Sequence, residues 1–523
     1  MTRSASLLFA LAALSTHASA AGSDVQSEAE ALLCLSRSSL LRLELPAGAD
    51  APFAVELELD GAPEIMELRP HSIRSGSFRL LEHGADGEYR ELDPGPVRTL
   101  RGELVGDPGS WVAASLLDDG LWARIQTSAG EDLWIEPLVG RVRGAGFGTH
   151  VLYRGVDSQC GGGWCGTVDF PGDESLPDDE LELAGKSLWV TEIGVDCDYP
   201  FHNTWGGTSG ASARVATVLN TMNAEYEDEV NITHLITTVI VRSSSASDPY
   251  EGTSPDGLLL QFKSEWATNQ TGVQRDVAQL FTGRNLDGSV IGIAYPGGIC
   301  TNFGYNLVQN YGNLGCATDL SAHELGHTWN ATHCSCNGYT MNPFITCGNT
   351  FTAATRKKII NFRKTRDCLD LDFDGSELFY DGFESGDLAA GGWTTKNLKS
   401  RAATQADYTG QYGLNIKRQS WAAKAISTAG SSAVQVEFAY RVRQYESGEG
   451  LYPEWSGDGG VTWNLIATLT SSSWVDRVSF ALPSGAANNP SFVLRIRGGG
   501  VGKNLSTGKN KKAHVDDVRI IVE

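Results

Sequence analysis

The stretch His323-Glu324-Leu325-Gly326-His327-Thr328-Trp329-Asn330-Ala331-Thr332-His333 sets three imidazoles and one carboxylate at the offsets a catalytic zinc ion requires. On a helix, His323 and His327 stand one turn apart on one face and can reach one metal, while Glu324 projects beside them toward a metal-bound water. His333 completes three nitrogen ligands. Zinc held by three protein ligands keeps a fourth position for water and lowers that water's pKa toward neutrality. The competing reading is a surface helix in which Ser321 and Glu324 form a capping box and the histidines bind nothing. The third histidine discriminates, because the four residues at fixed offsets arise by chance far more rarely than HExxH alone.

These residues resemble the metzincin zinc peptidases, whose long motif HExxHxxGxxH is followed by a methionine-containing turn. Tyr339-Thr340-Met341-Asn342-Pro343 comes shortly after His333, and Met341 resembles the methionine that underlies the metal. The departure is Asn330, where the family has a glycine that ends the helix in a left-handed conformation. Asparagine tolerates that conformation better than other non-glycine residues, so a positive φ is expected at Asn330. No tyrosine stands two residues after Met341, which argues against the astacin branch. The cysteine-rich sequence after His333 is closer to the adamalysin (reprolysin) branch. The resemblance implies an α/β domain with a mixed sheet and an active-site helix. It also implies zinc on His323, His327 and His333, Glu324 as general base, and peptide substrates lying along the sheet edge at Ile291 to Tyr295.

The 523 residues suffice for three ordinary domains. A net charge of -22 argues against nucleic acid, since phosphate binding needs clustered Lys and Arg. Arg3, the apolar run Leu7 to Leu14 and Ala18-Ser19-Ala20 have the parts of a secretory signal over residues 1–20, so a secreted, extracellular protein is expected. No later apolar run approaches the roughly 20 residues a membrane span needs. Ten cysteines in an exported chain read as a disulfide framework whose pairing the sequence leaves open. The seven from Cys197 to Cys368 are an odd number, so at least one of them is free or pairs elsewhere.

Residues 21–168 have the short β-prone runs of a β-rich region, such as Ser110 to Leu116 and Leu121 to Ile125. Val105-Gly106-Asp107-Pro108-Gly109-Ser110 and Ile135-Glu136-Pro137-Leu138 resemble adamalysin-type prodomains. That resemblance implies a zymogen in which a cysteine thiolate occupies the open zinc position. Trp164-Cys165-Gly166 and Gln159-Cys160-Gly161 are the candidates; Cys165 is preferred as nearer the catalytic domain, and a Cys160–Cys165 disulfide is the competing reading. Residues 169–186 form an acidic linker and a candidate maturation site. Over 187–369 the sequence alternates strand and helix. The helices are expected near Val215 to Tyr226, over Val273 to Phe281 and over Arg356 to Arg366; the strands over Ser187 to Ile193, Leu235 to Val241 and Ser289 to Tyr295.

Residues 370–377 form a second acidic linker. With Asp381, the carboxylates of Asp370, Asp372 and Asp374 make a partial match to a calcium loop, with a solvated linker as the preferred reading. Residues 378–523, without cysteines or helical periodicity, predict an all-β sandwich. Asp381 to Asp387 and His514 to Val518 resemble the opening and closing strands of jelly-roll modules on exported bacterial enzymes. Such modules imply binding to polysaccharide or a surface protein, with Trp393 or Trp455 as sugar platforms unless they are core residues. Ser456 to Trp463 is an Asp-box turn. Two functions follow: a secreted zinc endopeptidase made as a zymogen, or an inactive surface- or matrix-binding protein acting through its C-terminal sandwich. The intact ligands and Glu324 favour the first.

Overall fold

The structure is a computed structural model that describes residues 20–159, 162–169, 188–366, 368–372, 376–396, 400–408, 411–446, 448–500 and 511–522. The expected secretory signal lies outside these residues except for Ala20. Cys160, Asp374 and all of the first acidic linker except Asp169 also lie outside them. The chain forms two compact units, one of residues 1–183 with 191–369, the other of 184–190 with 370–523.

The first unit opens with α1 (Ala20–Leu33). Ten strands follow: β1 (Ser39–Arg42), β2 (Phe53–Leu59), β3 (Ala62–Pro70), β4 (Arg74–His83), β5 (Tyr89–Leu92), β6 (Thr99–Leu104), β7 (Trp111–Leu117), β8 (Gly120–Gln126), β9 (Asp132–Pro137) and β10 (Thr149–Arg154). Eight of them make an antiparallel sheet in the order β1-β10-β9-β8-β7-β6-β3-β2. Alternate residues such as Val55, Leu57, Met66, Leu68, Val112 and Ile125 point into a common core, as the period of two requires.

The catalytic layer comprises β11 (Trp164–Cys165), β12 (Leu188–Cys197), α2 (Tyr199–Thr204), α3 (Thr208–Val230), β13 (Ile232–Arg242), α4 (Pro255–Asn269), β14 (Val277–Thr282), β15 (Val290–Ala294), β16 (Tyr305–Gln309), α5 (Leu314–Thr328) and α6 (Ala353–Arg363). Its sheet order is β11-β15-β16-β14-β12-β13-β4-β5. Strand β14 runs parallel to β12 and β16, while β15 runs antiparallel to β16. Two strands of this sheet come from the N-terminal region: β4 lies parallel on β13, and β5 pairs with β4. The compositional boundary at 168 is therefore no boundary in space. Alternation marks a strand but does not say which sheet it joins.

The helix expected over Val273 to Phe281 is not formed. Residues 277–282 are a strand with all six side chains buried, and a short apolar run of that kind has no decisive period. The helix of this region is α4. Ser254 caps it by accepting from the Gly257 amide, and Leu258, Leu259, Phe262 and Trp266 give it a buried face. Within this layer Arg242 and Asp196 are both fully buried and joined twice, Nε to Oδ1 at 2.9 Å and Nη2 to Oδ2 at 2.6 Å. Asp196 Oδ2 also accepts from Tyr250 Oη at 2.7 Å and Trp266 Nε1 at 2.8 Å, so the buried charge is well supplied with donors. Disulfides join Cys300 to Cys368, Cys316 to Cys347 and Cys334 to Cys336. Cys34, Cys165 and Cys197 are free thiols, so Cys197 accounts for the odd number.

The second unit contains two antiparallel sheets sharing one core. The larger runs Ser400–Ala403, Gly413–Lys417, Lys512–Val522, Val434–Arg443, Val475–Ala481, with Ser376–Asp381 also on Lys512–Val522; the smaller runs Trp393–Thr395, Trp421–Ala425, Val493–Gly500, Glu449–Ser456, Asn464–Leu465. Trp393 and Trp455 belong to the core with Phe438, Leu494 and Val515, which removes both as sugar platforms. In the Asp-box turn, Asp458 accepts from the amides of Val461 and Thr462 and from Ser456 Oγ.

The calcium loop is not supported either. Asp370 and Asp372 lie in a strand, since carboxylates at alternate positions suit a period of two as well as a metal loop. Asp381 already accepts from the Phe383 amide at 2.7 Å and Trp393 Nε1 at 2.8 Å. Among the described residues no helix is long and apolar enough to cross a membrane.

Asp196→Ala is expected to destabilise the first unit by about 3 kcal/mol, the low end for breaking a buried pair, because Arg242 would remain buried with only Glu265, at 3.2 Å, as its ionic partner. Chemical denaturation followed by tryptophan fluorescence would register this as a lowered midpoint.

Candidate metal centre

Helix α5 starts at Asn313, whose side chain accepts from the Cys316 amide, and every residue from Leu314 to Thr328 is buried. Ser321 therefore sits in the middle of the helix, donating to Gln279 Oε1 at 2.8 Å, and the capping-box alternative is ruled out. His323 and His327 project from one face, and the chain then turns back at Asn330. There φ is 66°, the left-handed value expected of a residue replacing glycine. The Asn330 amide donates to the His327 carbonyl and the Ala331 amide to the Gly326 carbonyl, closing the helix and delivering His333.

The three Nε2 atoms converge: His323 to His327 3.1 Å, His327 to His333 3.2 Å, His323 to His333 3.3 Å. Their Nδ1 atoms all face acceptors. His323 Nδ1 lies 2.5 Å from the Thr340 carbonyl, His327 Nδ1 2.9 Å from the Ala331 carbonyl, and His333 Nδ1 3.1 Å from Asp169 Oδ2. A carbonyl or carboxylate can only accept, so each ring carries its proton on Nδ1 and turns a lone pair inward on Nε2. Burial, and then the neighbouring imidazoles, hold His323 well below its usual pKa; the same causes lower His327 to about 3. Three imidazoles with converging Nε2 atoms and fixed outer partners are the donor set that zinc takes.

Met341 is fully buried against α5 beneath this cluster. A Cβ on Gly326 would lie 2.6 Å from Met341 Sδ, so the glycine inside the motif makes room for the methionine. Glu324 is fully buried, and burial pushes its carboxyl up to about 8. A Cβ on Gly292 of β15 would come 2.3 Å from Glu324 Oε1, so the edge strand must have a glycine there to admit the carboxylate.

Cys165 brings a fourth candidate ligand. Its Sγ lies 3.5 Å from His327 Nε2 and 3.6 Å from Glu324 Oε2, and the ligand atoms of Cys165, His323, His327 and His333 all lie within 4.8 Å of one another. Burial and the nearby Glu324 push its thiol pKa up; a divalent cation acts in the opposite sense. The segment around Cys165 is pinned along β15. Trp164 and Cys165 pair parallel with Val290 and Gly292, the Gly166 amide donates to the Gly292 carbonyl, and Thr167 Oγ1 accepts from the Ala294 amide. It thus lies on the edge suggested for substrate. The Cys160 alternative lies outside the described residues.

Three supporting residues carry no sequence signal of their own. Asp169 accepts from the His333 amide as well as facing its ring, Thr340 presents its carbonyl to His323, and Glu225 of α3 accepts from Thr340 Oγ1 at 2.9 Å. Only the fold brings them to the site.

Residues 186–360 match the family model Reprolysin_5, metallo-peptidase family M12. This segment is an adamalysin-like metzincin domain. Among curated relatives, a hemorrhagic metalloproteinase-disintegrin-like kaouthiagin of Naja kaouthia is 31% identical over 125 residues, 23% of this chain and 30% of the relative. The Homo sapiens disintegrin and metalloproteinase domain-containing protein 33 is 25% identical over 311 residues, 56% of this chain and 37% of the relative. The chain thus spans well under half of each of these two relatives. A solved metalloproteinase-II from Bacteroides fragilis aligns at 10% identity and a TM-score of 0.38, covering 60% of this chain and 92% of that one.

The metzincin domain yields two predictions. Asn330→Gly should bind zinc like the parent, whereas Asn330→Val, strained at positive φ, should weaken binding on the order of 10- to 100-fold, as disturbing a ligand's support does; competition with a chromogenic chelator measures both. His234 is fully buried, and burial lowers its pKa from 6.5 to about 3. The unfolded chain therefore takes up a proton that the folded one refuses, and the resulting loss of stability begins as pH falls below about 6.5 and is complete near 3. The melting temperature should fall over that window, with a shallower slope in His234→Gln.

Proposed function

We propose that the protein is a secreted zinc-dependent endopeptidase, made as a zymogen, that hydrolyses peptide bonds with Glu324 as general base. The observation that carries this is the set of three inward Nε2 atoms beside a buried carboxylate of α5 that faces strand β15 of the mixed sheet. His323, His327 and His333 would hold the metal. Zinc, when bound, supplies Lewis acidity toward a scissile carbonyl and makes water more acidic. Glu324 takes the proton of the attacking water and passes it to the leaving nitrogen; burial raises its carboxyl in the metal-free site, and a bound divalent cation would favour the ionised form that a base requires. The β15 main chain would align an extended peptide by strand addition.

Latency is supported by the position of Cys165, whose thiol stands where a substrate carbonyl or water would have to enter, and by the pairing of its segment with β15. Secretion is supported by the signal-like first 20 residues and by three disulfides, which persist in oxidising compartments. An inactive binding protein is not favoured, since it would have no chemical need for Glu324 and the glycine that admits it.

Glu324→Gln should keep one equivalent of zinc and lose hydrolysis of an unstructured protein by at least about 100-fold, the usual worth of a general base. Equal turnover in parent and variant would remove Glu324 from the mechanism. Cys165→Ser in the uncleaved chain should raise basal hydrolysis, abolished by a zinc chelator; unchanged latency would remove Cys165 as the blocking group.

A further inference from the structure

We infer that the N-terminal β region is a permanent part of the active peptidase. After cleavage within 170–187 it stays bound without a covalent link, and only the short segment 162–169 leaves the metal centre. This rests on the zymogen reading above but makes a separate claim about which residues depart.

The contacts of the two segments differ in kind. Residues 162–169 lie between β15 and residues 343–345 and are held by a short run of backbone pairs on both sides, by the Trp164 indole on the Gly288 carbonyl, and by Thr167 and Asp169. The chain end that a cut in 170–187 creates is adjacent to this segment, so it can peel away from β15. The region before it cannot leave so simply. Strand β4 is an inner strand of the catalytic sheet, paired with β13 from Ile236 to Arg242. Its departure would expose β13, and take from Arg242 its hydrogen bond to Tyr89 Oη.

The zinc helix itself depends on the N-terminal sheet. Glu136 of β9 is fully buried, and its Oε1 accepts from the Leu314 amide at 2.8 Å and from Tyr153 Oη at 2.8 Å. Tyr153 Oη accepts from the Gly315 amide at 3.4 Å. Two of the free amides at the start of α5 are thus satisfied from β9 and β10, with a carboxylate at the positive end of the helix dipole. Arg124 of β8 reaches α3 and the segment at Asn349. Its guanidinium is buried, donates to the carbonyls of Thr221 and Asn349, and lies 3.6 Å from Glu225 Oε2. Glu225 in turn accepts from Thr340, whose carbonyl faces His323. Asn220 of α3 donates to the carbonyls of Leu100 and Ala114 and accepts from Arg101. Removing the N-terminal sheet would take Arg124 from Glu225, leaving it Thr340 Oγ1, and would strip Asn220 and the Leu314 and Gly315 amides of the partners named above.

The test uses the full chain with a site for a sequence-specific protease placed inside 170–187. After complete cleavage, size-exclusion chromatography in 1 M salt, roughly the condition at which the Debye length falls to 3 Å, should return both pieces in one peak at the mass of the intact chain. Zinc content should be unchanged from the uncut protein. Elution of the two pieces as separate species, whether or not the larger one keeps zinc, would overturn the inference. Zinc analysis of the uncut chain keeps this distinct from the function: a chain that holds no zinc would refute the peptidase reading, whereas a zinc-loaded chain whose pieces separate would refute only the retention of the N-terminal region. As a second measurement, Arg124→Met should let the cut pieces separate at lower urea than the parent does; identical dissociation midpoints would also count against it.

Discussion

Three imidazole lone pairs pointing at one another within 3.3 Å are the constraint on which the rest of the metzincin domain depends. Rings whose Nδ1 protons are committed outward turn bare Nε2 lone pairs toward one another and cannot hydrogen-bond across the gap. A cation of modest size resolves it. The surroundings are organised to keep the rings in place: a carbonyl on His323, another on His327, a carboxylate on His333, and Met341 packed under Gly326. Asn330 at a φ of 66° shows how the chain tolerates the loss of a glycine at the turn, because the geometry needed is one asparagine can adopt.

The same economy of space governs the approach to the site. Gly292 leaves room for Glu324, and the segment through Cys165 fills the edge of β15. Behind the helix, Glu136 and Arg124 reach in from the N-terminal sheet to its amide end and to the network under His323. Catalytic and N-terminal parts therefore share one set of buried polar contacts, and the site is best understood as a property of the whole first unit.

The convergence of His323, His327 and His333 beside Glu324, the burial of Met341 and the left-handed turn were legible in the sequence because they are fixed by offsets along one short stretch. So was Cys165, as one of two candidates, through its Cys-Gly context. What depends on tertiary pairing was not. Strand β4 reads like its neighbours but crosses into the catalytic sheet, and Asp169, Glu225 and Glu136 are ordinary acidic residues until the fold brings them to α5. The helix expected at Val273 to Phe281 and the partial calcium-loop match at Asp370 and Asp372 have a common cause: short patterns with a period of two or no clear period admit several structures. Trp393 and Trp455 went to the core, where large aromatic side chains bury the most apolar area.

The proposed zinc peptidase, kept latent by Cys165, makes a definite claim about the metal's ligands. X-ray absorption at the zinc edge of the uncut protein tests this most directly. The account predicts one zinc per chain with three imidazole nitrogens at about 2.0–2.1 Å and one sulfur at about 2.3 Å. A spectrum without histidine scattering, or zinc bound only by sulfur, would contradict it.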